Sequence, residues 1–261
     1  MLFVDTHCHL DFDAYDNDLD EVIKRAVDEG VTHIVVPGLN LASSRKIVEI
    51  AVRYSEVYGA VGVHPSDIDA WQSAQLAEFE VMVTHPKIVA VGEIGLDFYH
   101  RKDNFSRQKD MLENFLELAL RFNKPVILHS RNCLQDLINI VVKHQSATGT
   151  HKLRAVFHAF EGNLGEARDL TSMDHFIGAG GPVTYKNAAI KQEVFSKIDL
   201  SHVLLETDGP FLAPQAHRGK RNEPAWIPLI AKKIAELRQC DIKEVAEATY
   251  ENAKNLFYWT S

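Results

Sequence analysis

The chain has 261 residues, of which 46% are hydrophobic and 25% charged, and its formal net charge at pH 7 is −8. This composition is that of an ordinary globular protein with enough residues for a sizeable core. Proteins that permanently coat nucleic acid or membranes are usually basic, so the acidic balance argues against both as permanent partners. A local basic patch remains compatible with it.

Cysteine usage and the N-terminal residues predict the cellular compartment. Cys8, Cys133 and Cys240 are odd in number, lie far apart and form no CxxC pair. This pattern favours reduced thiols and the cytoplasm over a disulfide framework. We expect no signal peptide, because MLFVDTHCH has no basic region followed by a long apolar one. No apolar run approaches the ~18 residues of a membrane span.

Short apolar runs alternate with amphipathic stretches along the whole chain. In chain order, the predicted strands are FVDTHCH, HIVVPG, VYGAVGVH, IVAVGEIGLD, PVILHS, RAVFHAF, HFIGAGG and HVLLETD. The predicted helices that follow them are DLDEVIKRAVDEG, SSRKIVEIAVRY, AQLAEFEVMVTH, NFSRQKDMLENFLELALRF, CLQDLINIVVKH, LGEARDLTSM, NAAIKQEVFSKI and, after the last strand, PAWIPLIAKKIAELRQ and KEVAEATYENAKNLF.

The regular order of these elements predicts the fold class. The strands are continuously apolar, which is typical of a parallel sheet buried on both faces. Repeated strand–helix units predict an α/β protein with a (β/α)8 TIM-like barrel, a single domain over residues 1–261, and an active site at the C-terminal ends of the strands. An open doubly wound sheet is the alternative that the alternation alone leaves open.

Ligand-type side chains stand at the C-terminal ends of several predicted strands. His7 and His9 face the same side of their strand, because side chains alternate along a strand, and Cys8 is expected to face the helices. The same parity aligns Glu206 with Asp208. Imidazole and carboxylate together suit zinc, manganese, iron or nickel, and carboxylate oxygens also accept magnesium.

Several residues are candidate metal ligands, namely His7, His9, Glu93, His129, His158 and Asp208. They exceed what one tetrahedral zinc needs. Two metals ~3.5–4 Å apart and bridged by a carboxylate would use all of them. Glu93 is the expected bridge, since it lies between the two groups in strand order. One histidine alone would be an ordinary structural residue, but burying the whole set without a cation would leave polar groups unpaired.

The order and spacing of several motifs carry a family resemblance. They are DTHCHLD, GVHP, VGEIGLDF, PVILHSR, FHAFEG, LLETDGPFLAP and HRGKRNEP, which run from residue 5 to residue 224. Through them the chain resembles the TatD family of metal-dependent hydrolases within the amidohydrolase superfamily. Members of that family are TIM-like barrels with two divalent metals, and many act as deoxyribonucleases.

The resemblance implies roles for individual residues. His7 and His9 match ligands of the first metal, Glu93 matches the bridging glutamate, and His129 and His158 match histidines of the second metal. Asp208 matches the aspartate that binds the first metal and handles the proton of the attacking water, so Asp208 and Glu93 are the expected catalytic residues. The positions that match contacts with the substrate phosphate are His64 and, more loosely, Arg131, His217 and Arg218.

The chain departs from the family pattern at three motifs. FHAFEG lacks the usual Cys after the histidine and the Ser-Gly after the phenylalanine, DGP stands where Ser or Ala often follows the aspartate, and QAHRG lacks the proline that often precedes the histidine. No departure removes a candidate ligand, so they bear on substrate preference.

We therefore expect a hydrolase of ester bonds that uses two divalent metal ions such as Zn, Mg or Mn. The expected activity is that of a deoxyribonuclease, a 3′–5′ exonuclease-like phosphodiesterase on DNA ends or single strands. DNA would be a transient substrate of a monomer with no obligatory protein partner and no membrane contact. The basic segment HRGKRN, residues 217–222, would line the cleft and contact phosphate. Aromatic residues near strand ends that could stack on an unpaired base are Phe98, Tyr99, Phe160 and Phe211.

Two other functions remain open at this point. The first is hydrolysis of another small ester, a lactone, an amide or an aminoacyl-tRNA, which relatives in the superfamily perform on the same platform. Many of those relatives bridge their metals with a carboxylated lysine, and Glu93 in its place favours the nuclease. The second is a metal-binding scaffold without activity, against which the presence of Asp208 argues.

Overall fold

The computed structural model describes residues 1–100, 102–147 and 152–259. Its strands are β1 (Phe3–Asp5), β2 (Val31–Pro37), β3 (Val57–Val61), β4 (Ile88–Asp97), β5 (Val126–Arg131), β6 (Ala155–Phe157), β7 (Phe176–Ala179) and β8 (Val203–Leu205). They form one eight-stranded sheet whose order is the chain order from β1 to β8. A doubly wound sheet would reverse its strand order at a switch point, so that alternative is wrong and the (β/α)8 fold class is confirmed.

Helices follow the strands as the periodicity predicted. They are α1 (Leu19–Asp28), α2 (Leu41–Arg53), α3 (Leu76–Val83), α4 (Phe105–Arg121), α5 (Leu134–Ala147), α6 (Leu164–Ser172), α7 (Ala189–Lys197), α8 (Ile227–Arg238) and α9 (Ile242–Phe257). Among the described residues, no helix is both long enough and apolar enough to cross a membrane.

The chain divides into two compact units, one made of Met1–Val36 with His158–Ser261 and the other of Pro37–Phe157. That residues 1–261 form a single domain stays a prediction. The three cysteines are free thiols, and Cys8 and Cys133 are buried.

In the first unit, the backbone after β1 pairs with the backbone after β8. Thr6 N donates to Leu205 O (3.0 Å), and Asp208 N donates to His7 O (2.8 Å). Cys8 and Gly209 form a parallel bridge beyond the ends of both strands. The pairing therefore brings two polar segments together, although β1 itself ends at Asp5, earlier than the sequence predicted.

In the second unit, β4 is buried along its whole length and pairs with β3 and β5. Gly92 in β4 permits this packing, because a Cβ atom there would lie 2.7 Å from Ile127 Cβ. Asn40 starts α2 with a capping box, in which Asn40 Oδ1 accepts from Ser43 N (2.9 Å) and Ser43 Oγ accepts from Asn40 N (3.0 Å). The unit thus has a fully buried central strand, and its helix α2 begins with a hydrogen-bonded cap.

Candidate metal centre

His7, His9 and Asp208 converge in the first unit, and we call them the first ligand group. His7 Nε2 lies 3.2 Å from His9 Nε2 and 3.7 Å from Asp208 Oδ1, and His9 Nε2 lies 3.5 Å from the same oxygen. A tetrahedral metal with bonds of about 2.0–2.1 Å separates its ligand atoms by about 3.3–3.4 Å. The three donors therefore fit one divalent cation in both chemistry and spacing.

A buried carboxylate, Asp5, fixes the backbone that carries this group. Asp5 Oδ1 accepts from His7 N (3.2 Å) and Thr207 N (2.9 Å), and Asp5 Oδ2 accepts from the Thr207 hydroxyl (2.5 Å). Burial raises the pKa of Asp5 to about 7, although the bonds from Thr207 and His7 act in the opposite direction. Asp5 thus holds the two segments in register, and the sequence pattern did not single it out.

Asp208 occupies a backbone conformation that non-glycine residues seldom adopt, with φ +56°. Burial acts to raise its pKa, but the hydrogen bond from His9 and the electrostatic interaction with the nearby histidines outweigh burial and hold the pKa below its ordinary value. The side chain is 14% exposed. Asp208 is therefore a carboxylate at neutral pH that retains some access to solvent.

His158 belongs to the first unit and packs against the first ligand group. Its ring stacks on His7 with centroids 4.0 Å apart and an interplanar angle of 9°. Its Nδ1 lies 4.0 Å from Oε1 of buried Glu206, which accepts a hydrogen bond from Ala159 N (2.5 Å). Gly178 makes room for Glu206, since a Cβ atom there would lie 2.2 Å from Glu206 Oε2.

His64, Glu93 and His129 converge in the second unit, and we call them the second ligand group. Glu93 Oε1 lies 2.8 Å from His129 Nδ1 and 3.5 Å from His64 Nε2. Ligand atoms of the three residues all lie within 4.8 Å of one another, in an arrangement able to hold a metal ion. Two imidazoles and a carboxylate again suit a divalent transition metal.

His64 was predicted as a contact of the substrate phosphate, but its ring faces Glu93. His64 precedes the short 3-10 helix Pro65–Ala70, and its Nδ1 accepts a hydrogen bond from Ser66 N (3.1 Å). This bond turns Nε2 toward Glu93. The GVHP motif could have predicted this orientation of His64. A histidine between a strand end and a helix-starting proline can cap the helix with one ring nitrogen.

His129 lies between two carboxylates, Glu93 and Asp97. Asp97 is buried, and its Oδ2 lies 3.6 Å from His129 Nε2. Burial acts to raise the pKa of Asp97, but the nearby His129 ring and hydrogen bonds from His100 and the backbone outweigh burial and hold the pKa well below its usual range. Asp97 is the last residue of the GEIGLD motif, and the sequence pattern assigned it no role.

The other predicted phosphate contacts lie against aromatic rings. The Arg131 guanidinium lies 5.3 Å from the ring centre of Tyr99, and that of Arg218 lies 4.7 Å from Tyr185. The His217 ring stacks on Trp226, with centroids 4.1 Å apart. Their contact with a substrate phosphate stays a prediction.

The basic segment 217–222 is partly structural. Arg221 donates to both carboxylate oxygens of Asp18 (2.6 and 2.7 Å) and to Ala14 O (2.6 Å). The hydrogen bond from Arg221, together with that from Arg25, outweighs desolvation and lowers the pKa of Asp18 to about 2. Buried Asn222 donates to Thr207 O and Phe211 O (both 2.7 Å). The end of the segment therefore anchors the chain after Asp208.

The predicted stacking residues differ in exposure. Tyr99 is 63% exposed and Phe211 is 51% exposed, whereas Phe160 is buried. Phe98 packs edge-on against Phe105, with ring centroids 5.2 Å apart. Phe211 lies near the first ligand group, 6.5 Å from the His9 ring centre. Of these four residues, Tyr99 and Phe211 are therefore the two with largely exposed rings.

Comparison with known proteins shows the family to which the chain is related. The family described as TatD related DNase matches residues 4–258. The uncharacterized metal-dependent hydrolase YabD of Bacillus subtilis is 40% identical over 257 residues, which are 98% of this chain and 99% of that protein. The crystal structure of YjjV, a TatD homologue from Escherichia coli, matches with a TM-score of 0.92 and 33% identity over 99% of this chain and 98% of that one.

The chain belongs to the TatD family and is a metal-dependent hydrolase. A more distant solved structure, the phosphotriesterase homology protein of Escherichia coli, matches with a TM-score of 0.67 at 13% identity over 98% of both chains. At that identity the likeness shows only the shared fold.

Proposed function

We propose that this hydrolase is a deoxyribonuclease, a 3′–5′ exonuclease-like phosphodiesterase that acts on DNA ends or single strands. The observation that carries the proposal is the convergence of His7, His9 and Asp208 at spacings that suit one divalent cation. The name of the matching family, TatD related DNase, supports DNA as the substrate class.

We propose two divalent metals, with Zn, Mg and Mn as candidates. The first would be held by the first ligand group, and Glu93 and His129 would be ligands of the second. The position of His64 in the second ligand group adds it as a candidate ligand. That Glu93 bridges the metals and that His158 serves the second metal rest on the family resemblance.

Bound metals of this kind lower the pKa of a coordinated water toward ~7 and offset charge that develops on phosphate oxygens. Asp208 would accept the proton of the attacking water, because its lowered pKa keeps it ionised at neutral pH. His9 orients Asp208 for this role by its hydrogen bond. Asp5 keeps the segments of both residues in place through its bonds to His7 and Thr207.

The substrate contacts would come from residues around the ligand groups. Phe211, half exposed beside His9, is placed to stack on a terminal base, and Tyr99 with Arg131 offers a second exposed aromatic face. Arg218 would contact phosphate. A few such contacts on an acidic protein predict weak, salt-sensitive binding, as a transient substrate requires. A monomeric state and a cytoplasmic location remain part of this proposal.

The test is a phosphodiesterase assay on single strands labelled at the 3′ or the 5′ end, with Zn²⁺, Mg²⁺ or Mn²⁺ added back after chelation. We expect metal-dependent release of nucleotides from the 3′ end, and Asp208→Asn is expected to abolish it. A protein that hydrolyses no DNA but cleaves a lactone, an amide or an aminoacyl ester under the same conditions would contradict the nuclease and favour another hydrolase of the superfamily.

A further inference from the structure

His129 has a carboxylate facing each of its ring nitrogens. Nδ1 lies 2.8 Å from Glu93 Oε1, and Nε2 lies 3.6 Å from Asp97 Oδ2. A neutral imidazole carries one N–H group, and only the other nitrogen can bind a metal. The choice between Glu93 and Asp97 as the acceptor of that N–H therefore decides which nitrogen can bind a metal.

Asp97 is held in place independently of His129. Its Oδ1 accepts from Tyr99 N and His100 N (both 2.8 Å), and its Oδ2 accepts from the exposed His100 ring at Nδ1 (2.8 Å). Gln108 fixes the backbone of the same residue, because its Oε1 accepts from Asp97 N (2.8 Å) and its Nε2 donates to Asp97 O (3.2 Å). The carboxylate is thus a preorganised acceptor on the Nε2 side of the ring.

We propose that Asp97 is the positioning residue of His129. Its Oδ2 receives the Nε2–H group, so that Nδ1 keeps its lone pair toward Glu93 and can bind a metal. Histidines that bind metals usually donate their other N–H to a carboxylate or a carbonyl oxygen, and loss of that partner lowers metal affinity by about 10–100-fold. The inference rests on the metal use in the proposed function but requires no nuclease activity.

Asp97→Asn tests this proposal with a side chain of the same size and shape as Asp97. The amide oxygen can replace Oδ1 and keep the bonds from Tyr99 N and His100 N, so the turn after β4 is preserved. The amide nitrogen then replaces Oδ2 and donates toward Nε2, which favours the ring with its proton on Nδ1. His100→Ala is the control, because it removes the other partner of Oδ2 and leaves His129 facing an intact carboxylate.

The experiment uses Zn²⁺ alone as the probe. Competition titrations of the chelated full chain should show that Asp97→Asn binds the second Zn²⁺ equivalent about 10–100-fold more weakly than the wild type and the first equivalent unchanged. His100→Ala should stay within about threefold of the wild type. Equal affinities of Asp97→Asn and the wild type for both equivalents would overturn the proposal.

A second measurement needs no variant. Nitrogen-15 NMR of the imidazole rings in the Zn²⁺-loaded wild type should show His129 with its proton on Nε2 and the metal on Nδ1. A proton on Nδ1 of His129 would overturn the proposal even if Asp97→Asn failed to fold. Because neither measurement contains DNA, an absence of DNA hydrolysis would contradict the proposed nuclease while leaving this inference standing.

Discussion

The two ligand groups are both made of imidazole and carboxylate donors, but the chain assembles them differently. In the first group, His7 and His9 lie two residues apart, and pairing of the backbone after β1 and β8 brings Asp208 to them. In the second group, one residue comes from the segment after β3, one from β4 and one from β5. The first group is thus positioned mainly by one pair of backbone segments. The second comes from three separate segments, in which Ser66 N donates to His64 Nδ1 and Asp97 Oδ2 lies 3.6 Å from His129 Nε2.

The largest effects are expected when one imidazole is removed from each ligand group. His9→Ala and His129→Ala should each lower DNA hydrolysis by more than the ~10–100-fold that loss of an outer partner causes, because each removes a proposed metal ligand. Each variant should also lose metal from one group only, measured by elemental analysis after dialysis. His144→Ala is the control, since that ring bonds to Ile140 O within α5. Full activity of either ligand variant would contradict its assignment.

His64→Ala separates the two roles open to His64. As a ligand facing Glu93, its loss should weaken binding of the second metal by about tenfold or more and lower kcat. As a contact of the substrate phosphate alone, its loss should raise KM and leave metal affinity unchanged. Metal titration and steady-state kinetics on one preparation distinguish these outcomes, and unchanged metal affinity would remove His64 from the second ligand group.

Gly178→Ala tests the packing beside the first ligand group. The new Cβ atom would lie 2.2 Å from Glu206 Oε2, so β7 or Glu206 must shift. We expect the free energy of unfolding to fall by about 1–3 kcal/mol, as for other overpacked sites. Gly180→Ala is a matched control, because its Cβ would lie 3.6 Å from Glu206 Oε1 in ordinary contact. Equal urea midpoints for the two variants would contradict the close approach of Glu206.

Thr207→Val tests whether the hydrogen bonds between Asp5 and Thr207 stabilise the fold. The variant keeps the size of the side chain but removes the hydroxyl that donates to Asp5 Oδ2. Leaving a buried carboxylate oxygen without this donor should lower the free energy of unfolding by about 1–2 kcal/mol. Thr32→Val is the control at a half-buried threonine, which donates to Phe3 O (3.2 Å). Urea unfolding measures both variants. A smaller loss of unfolding free energy for Thr207→Val than for Thr32→Val would contradict this role of Asp5.

The smallest expected effect concerns the anchor of the basic segment. The pKa of Asp18 is about 2 in the folded chain against an ordinary 3.8, so its pairing stabilises the fold above about pH 4, and this contribution is lost as the pH falls toward 2. Asp18→Asn should therefore be less stable than the wild type near neutral pH, by about 0.5 kcal/mol for a partly exposed pair. The difference in urea midpoints should disappear near pH 2, and one that grows on acidification would contradict the pairing.

Much of the fold was predictable because its signals are local. Apolar strands and amphipathic helices with clear stops follow one another in order, and α4 (Phe105–Arg121) lies within the predicted stretch. The doubly wound alternative required the strand order, which only long-range pairing reveals. The strand FVDTHCH was predicted too long, because the regular strand β1 ends at Asp5, where Asp5 Oδ1 accepts from His7 N. Beyond it, the isolated bridge between Cys8 and Gly209 continues the pairing of these described segments.

The ligand groups were predictable to different degrees. The parity of His7 and His9, together with the ETD motif, predicted the convergence of the first group. The position of His64 depends on a cap bond to Ser66, and the role of Asp97 depends on its facing His129, and neither is visible as spacing. The structural part of the basic segment, Arg221, likewise depends on a partner at Asp18, about two hundred residues away in the chain.

The most direct test of the account is a crystal structure grown with Zn²⁺, with anomalous data collected at the zinc edge. We predict one zinc peak within about 2.0–2.2 Å of His7 Nε2, His9 Nε2 and Asp208, and another at that distance from Glu93 and His129 Nδ1. Zinc bound only elsewhere on the chain, or no zinc in crystals of the folded protein, would contradict the central claim that each ligand group holds a metal ion.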